Sequence, residues 1–205
     1  MRVLIACEFS GIVRQAFRAR GHDAFSCDYL PAEDGCLLWH YQTDVRSLLH
    51  DDWDLMIAHP PCTHLSRAGA RWWPQKRADG RQQQAIQFIL QLATSPIPKI
   101  AIENPIGILS SAWRRADQTI QPWEYGDPWI KTTQLWLKNL PPLIPTNPVT
   151  PIGYWVSNGS LWRRRRDKRE TTRDKTMILE GANKNDNTRS RFWRGIADAM
   201  AAQWG

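Results

Sequence analysis

The 205-residue chain lacks a long apolar run, and no stretch approaches the ~18 residues of a membrane span. Cysteine is scarce: Cys7, Cys27, Cys36 and Cys62 are the only four. They form no CxxC pair and have no histidine at metal-ligand spacing, so neither a disulfide framework nor a zinc site is expected. Reduced thiols in a cytoplasmic protein are the expected state. A basic leader is missing too: MRVLIACEFSG carries one basic residue, reaches Glu8 quickly, and reads as a buried strand rather than a signal peptide. The turn that follows has one glycine, Gly11, which excludes a GxGxxG dinucleotide loop. What remains is ordinary for one folded domain: 42% hydrophobic and 23% charged residues.

Two features stand out against that background. The net charge is +7, and residues 162–194 hold 12 Lys/Arg against 5 Asp/Glu, so the whole excess lies there and the rest of the chain is neutral. Within it, Arg163, Arg164, Arg165, Arg166, Lys168 and Arg169 form a block that suits a polyanion. A solvated loop with no partner is the competing reading. The second feature is twelve tryptophans, scattered along the chain. Most are expected in packing; Trp155 and Trp162 flank the basic block and could stack on an unpaired base.

The patterning alternates strand and helix. Residues 2–7 read as a buried strand, then a helix (IVRQAFRAR) runs to Gly21, and residues 24–28 form a second strand ending at Asp28. Asp44 precedes a short helix, VRSLLH. Residues 53–58 form a third strand running into His59-Pro60-Pro61-Cys62. Residues 63–78 look irregular and carry Arg67, Arg71, Lys76 and Arg77. A clear amphipathic helix spans 79–94, ended by Pro96 and Pro98. Residues 99–102 give a fourth strand ending in Glu103-Asn104-Pro105, and 133–138 a fifth. A proline-rich connector (141–151), the basic segment and a terminal helix from about Phe192 to Gln203 complete the chain. The domain division expected is a core over 1–140, a connector and basic nucleic-acid-binding region over 141–191, and a helix over 192–205 packing on the core. This predicts an α/β fold, Rossmann-like, with a mostly parallel sheet covered by helices on both faces.

In such sheets ligands bind at the carboxyl ends of the strands, and Glu8, Asp28, Cys62 and Glu103 all fall there. The Glu8-Phe9-Ser10-Gly11 turn leads into a helix N-terminus, whose free N–H groups can hold a carboxylate or phosphate. Asp28 suits ribose hydroxyls, although a solvated loop aspartate looks the same in sequence. Two prolines fix the backbone before Cys62, and His59, His64 and Arg67 lie near enough in sequence to lower its pKa. Partial burial of Glu103 would raise its pKa and suit it to donate a proton.

The order FSG, acidic residue after strand two, PPC, ENP resembles the DNA (cytosine-5) methyltransferases, in a small, prophage-like form without a large target-recognition domain. The resemblance covers about residues 1–140. It implies S-adenosylmethionine as cofactor, with Phe9, Ser10 and Gly11 at its methionine end, Asp28 on the ribose, Asp44 near the adenine, and Glu8 and Pro60 also among the cofactor-binding residues. It implies Cys62 as the nucleophile toward C6 of cytosine and Glu103 on N3 and N4. Lys131, in Lys131-Thr132-Thr133, stands where the family has Gln-x-Arg-x-Arg. Ser10 and Pro105 depart from the family's usual residues.

DNA is then the implied partner, gripped by Arg67, Arg71 and the basic block, with the base flipped or unpaired. Residues 141–191 leave little room for sequence recognition, which a partner or self-association would have to supply. Two alternatives stay open. One is the same chemistry on a nucleotide, on RNA or with a modified donor; the other is a non-catalytic nucleic-acid-binding relic of the fold.

Overall fold

The structure is a computed structural model that describes residues 1–155, 161–162 and 192–205. The basic block (Arg163, Arg164, Arg165, Arg166, Lys168 and Arg169) lies outside the described residues. In chain order the elements begin with β1 (Arg2–Ala6), α1 (Ile12–Arg18), β2 (Asp23–Asp28), β3 (His40–Gln42) and β4 (Leu55–Ala58). Then come α2 (Trp73–Ala78), α3 (Arg81–Ala93), β5 (Lys99–Pro105), α4 (Leu109–Ala112), β6 (Gln118–Ile120) and β7 (Trp129–Ile130). The last are β8 (Thr133–Lys138), β9 (Gly153–Trp155), β10 (Leu161–Trp162) and α5 (Arg194–Trp204).

Seven strands form one sheet in the order β3-β2-β1-β4-β5-β8-β6. The first five run parallel, and β8 runs against both its neighbours. Because side chains alternate along a strand, each buried strand feeds two cores. Val3 and Ile5 of β1 face α1 and α5, with Phe17, Ile196 and Met200. Leu4 and Ala6 face the other way, with Ile86, Ile89 and Leu92 of α3. Helices therefore cover both faces, and the fold is α/β with a mostly parallel, mixed sheet.

Several elements differ from the sequence expectation. β5 does not stop at Ile102: β8 pairs with it out to Pro105↔Thr133, so Glu103 and Asn104 are ladder residues. Residues 67–78 are ordered as a 3₁₀ turn (Arg67–Trp72) followed by α2. VRSLLH is a 3₁₀ helix, Val45–Leu48, capped by the Asp44 carboxylate, which accepts from Arg46 N–H at 3.0 Å. The three-residue strands β3 and β6 carry too few residues to show a period in sequence. β9, which follows the proline-rich connector, pairs with β7 and β10 in a small separate sheet.

Candidate active site

The turn after β1 is held by its own carboxylate. Glu8 is buried, at 4% exposure, and accepts from the N–H groups of Val13 (2.7 Å) and Arg14 (3.3 Å) and from the Ser10 hydroxyl (3.3 Å). The first N–H groups of α1, expected to be open to a ligand, are thus engaged by Glu8: a short loop lets a carboxylate a few residues upstream fold back onto the helix end. Burial raises the Glu8 pKa, opposed by His59 and by those N–H groups. Gly11 has φ 73°, and a side chain there would run into the Arg14 guanidinium. Arg14 is itself buried; it donates to Ser26 Oγ at 2.8 Å and pairs with Asp34. Phe9 is buried, and its carbonyl accepts from Glu33 N–H at 2.9 Å, which draws the loop after β2 over the turn.

Asp28 ends β2, half-buried, and its Oδ1 accepts from the Leu30 N–H at 2.9 Å. Among the described residues its Oδ2 has no hydrogen-bond partner. Asp44 is occupied: besides capping its 3₁₀ helix it pairs with the Arg46 guanidinium and accepts from the Tyr29 hydroxyl at 2.7 Å. Those contacts hold its pKa below the ordinary carboxylate range.

Cys62 and Glu103 come together because β4 and β5 are neighbours, with Ala58 opposite Ile102. Side-chain bonding then locks the two strand ends. Asn104, fully buried, donates from Nδ2 to the Pro60 carbonyl at 2.9 Å. The chain after Cys62 zips to the chain after Pro105: Arg67 N–H donates to the Ile106 carbonyl (2.8 Å) and Ile108 N–H to the Leu65 carbonyl (2.9 Å). Gly107 sits in this zip, where any Cβ would collide with the Leu65 carbonyl. From the other side Lys76, buried in α2, donates to the Thr63 carbonyl at 2.5 Å, and Gln82 of α3 to the His64 carbonyl at 3.2 Å.

His59 lies in the same cluster. Its Nδ1 is 3.5 Å from Glu103 Oε2, an ion-pair contact when the imidazole is protonated and too long for a good hydrogen bond. Its ring packs on Phe192, with centroids 4.4 Å apart. Phe192 and Trp193 arrive here because α5 packs on α1 in the first core. Lys131, leading into β8, has its ammonium 5.9 Å from the Trp193 ring centroid.

The electrostatics reverse two expectations. Burial pushes the Glu103 carboxyl up, but His59, Lys131 and the Thr133 hydroxyl outweigh it and hold the pKa below its ordinary value. The Cys62 thiol goes the other way: burial and then the Glu103 charge raise its pKa, against smaller lowering contributions that include Lys131 and Lys76. Neither His64 nor Arg67 enters; the cations that act come from distant segments, which sequence proximity does not reveal. The resting pair is a protonated thiol beside an ionised carboxylate.

Arg67 and Arg71 lie exposed on the 3₁₀ turn that follows the Cys62 loop. Arg71 sits 5.0 Å from the ring centroid of Trp72, which is 50% exposed. Sequence reasoning missed the roles of His59, Asn104, Lys76, Phe192 and Trp193. The first two stand inside the HPPC and ENP motifs, and the aromatic doublet was a visible signal; Lys76 left none. A cavity of about 370 Å³, lined by Ile100, Trp113, Arg114, Trp136 and Lys138 among others, opens on the α3 side of β5 and includes none of the site residues.

No family model matches the chain, and no curated protein matches it in sequence. Its architecture is similar to that of a candidate DNA modification methyltransferase encoded within an E. coli prophage, with a TM-score of 0.50 and 18% identity over 73% of this chain. The chain spans about half of that protein, 53% of its length. At this identity the likeness shows the fold.

Proposed function

We propose that the protein transfers a methyl group from S-adenosylmethionine to C5 of cytosine in DNA, through a covalent adduct of Cys62. What carries this reading is the union of a Pro-Pro-Cys strand end with Glu103 on the adjacent strand, locked by the Asn104–Pro60 hydrogen bond and backed by Lys131. The prophage-encoded neighbour, named as a candidate DNA modification methyltransferase, points the same way.

The donor's site can be checked against the residues. Asp28 offers one unengaged carboxylate oxygen at the end of β2, which fits a ribose diol. The turn Phe9-Ser10-Gly11 fits an amino acid tail differently from the expectation. Glu8 already fills the helix N-terminus, so the turn favours the cationic ammonium and sulfonium over the carboxylate. Asp44 and Pro60 would flank the adenine. The chemistry that S-adenosylmethionine supplies when bound is an electrophilic methyl group.

The chain's own residues do the rest. Cytosine C5 is a poor nucleophile while the ring is aromatic. Cys62 loses its proton and adds to C6, and Glu103 directs a proton to N3, which leaves C5 enamine-like. Lys131 favours the thiolate and holds Glu103 ionised in the resting site. Cys62 leaves once C5 has gained the methyl and lost its proton. A base within a duplex is out of reach, so DNA enters flipped or single-stranded. Arg67, Arg71 and the basic block Arg163–Arg166, Lys168 and Arg169 supply phosphate contacts that position without reading sequence. The decisive experiment is mass spectrometry of nucleosides from DNA incubated with protein and donor. 5-Methylcytosine is expected; a methylated adenine, or no product on single- or double-stranded DNA, overturns the reading.

A further inference from the structure

His59 is a buried titratable group that the mechanism above leaves unused. Its side chain is 11% exposed, and neither ring nitrogen has a hydrogen-bond partner among the described residues. A buried imidazole with no hydrogen bond of ordinary length is costly, so its presence at this point asks for a role. Its surroundings are specific. Glu103 on β5 lies 3.5 Å from Nδ1, the Phe192 ring covers one side, and Glu8 after β1 is close enough to feel its charge. Lys131, before β8, acts on the same Glu103, and Cys62 follows His59 by three residues. The backbone is pinned as well, His59 N–H donating to the Ala6 carbonyl at 2.9 Å.

We propose that His59 is the positioning residue of this site: clamped between Phe192 and Glu103, it orients the Glu103 carboxylate and holds the proton that this carboxylate passes to the pyrimidine. The inference rests on the cytosine reading. The proton count closes. Cys62 gives its thiol proton to bulk water, and its Sγ bonds to C6 as the C5=C6 π electrons move toward C5. N3 takes a proton from Glu103, which takes one from His59 Nδ1, leaving the imidazole neutral. After C5 has gained its methyl, the C5 proton leaves to water and the C6–Sγ bond breaks. The ring π bond reforms, the released Cys62 thiolate takes a proton back from water, and N3 returns its proton through Glu103 to His59. An ionised Glu103 cannot supply that proton alone, which is why the neighbour matters.

The test uses the full chain and two variants. His59→Phe keeps an aromatic ring against Phe192 and removes both nitrogens; His59→Asn keeps a neutral donor and serves if the first fails to fold. One readout is independent of turnover: the Glu103 carboxyl titration, followed by ¹³C NMR and assigned with Glu103→Gln. Its midpoint should rise in either variant. The second readout is the pH profile of turnover on a single-stranded cytosine oligonucleotide with S-adenosylmethionine. At pH 7.5 kcat should fall ~30–100-fold, the range of acid–base groups, with KM for the oligonucleotide nearly unchanged. Lowering the pH should recover part of the variant's rate, because Glu103 then carries its own proton. A pH-independent loss, or an unmoved Glu103 midpoint, overturns the proposal. If the wild type makes no 5-methylcytosine while the midpoint still rises, the cytosine reading fails and the proton-passing role with it, leaving only an ion pair.

Discussion

The turn after β1 and the paired ends of β4 and β5 are both polar, both buried, and built on opposite principles. At the turn most groups satisfy one another: Glu8 accepts from the N–H groups of Val13 and Arg14, and the Arg14 guanidinium donates to Ser26 and Asp34, with only its Nε left over. At the paired strand ends they do not: among the described residues, both nitrogens of His59 and Oδ1 of Asn104 are buried without hydrogen-bond partners. A satisfied buried network rigidifies, whereas unsatisfied buried groups carry a free-energy cost that a bound substrate can relieve. The first region is a rigid frame on which the donor would sit, and the second is where the reacting groups are to be sought.

Substitutions can break or sharpen this contrast. Cys62→Ala should abolish turnover and adduct formation on 5-fluorocytosine DNA, where fluorine cannot leave as a proton does. The circular-dichroism melt should be almost unchanged, since the side chain is only partly buried. Turnover in this variant, or a collapse of its melt, would dissolve the distinction between the regions. Glu103→Gln should cost ~100-fold or more in kcat, measured as tritium transfer from labelled donor; a loss under tenfold would make Glu103 structural. The variant should also lower the Cys62 pKa, because it deletes a negative charge that raises it, so thiol alkylation should saturate at lower pH than in the wild type.

Glu8→Ala tests the other region. Losing a carboxylate that accepts from two helix N–H groups should cost about 1–2 kcal/mol of stability, read from urea unfolding. Glu8→Gln, which keeps an acceptor, should cost less. If donor affinity falls while stability holds, Glu8 faces the ligand and the turn is not mere scaffold. Asp28→Ala should have the smallest effect. One charge-assisted hydrogen bond to the ribose is lost, about tenfold in donor affinity, with no change in the melt. Calorimetry showing equal donor binding by both proteins would remove Asp28 from the site.

The core strands were legible because β1, β4 and β5 are continuous apolar runs, and α3 because its apolar residues recur at helical spacing. The short strands β3 and β6 were not, since three residues carry no period, and neither was the 3₁₀ turn Arg67–Trp72, which buries no side chain and so shows no apolar pattern. Pro-Pro-Cys and Glu-Asn-Pro marked the site, and the β4–β5 pairing brings them together. Their protonation states could not be read the same way. Glu103 looked like a carboxyl raised by burial, and Cys62 like a thiol lowered by its sequence neighbours. Both shifts run the other way: burial and the Glu103 charge raise the Cys62 thiol against Lys131 and Lys76, whereas His59, Lys131 and the Thr133 hydroxyl outweigh burial at Glu103.

The sequence alone determined which segments are buried strands, that they alternate with helices, and hence that the acidic and cysteine residues following them share one edge of a sheet. Those are matters of local periodicity and of the handed, layered packing that a parallel sheet imposes. Only the tertiary structure decided what each side chain meets there. It decided that Glu8 closes the helix end that looked open, and that Phe192, some ninety residues beyond Glu103, covers His59. Charges act through space across a few ångströms, and which charges stand within that range is set by packing of distant segments, not by their order along the chain.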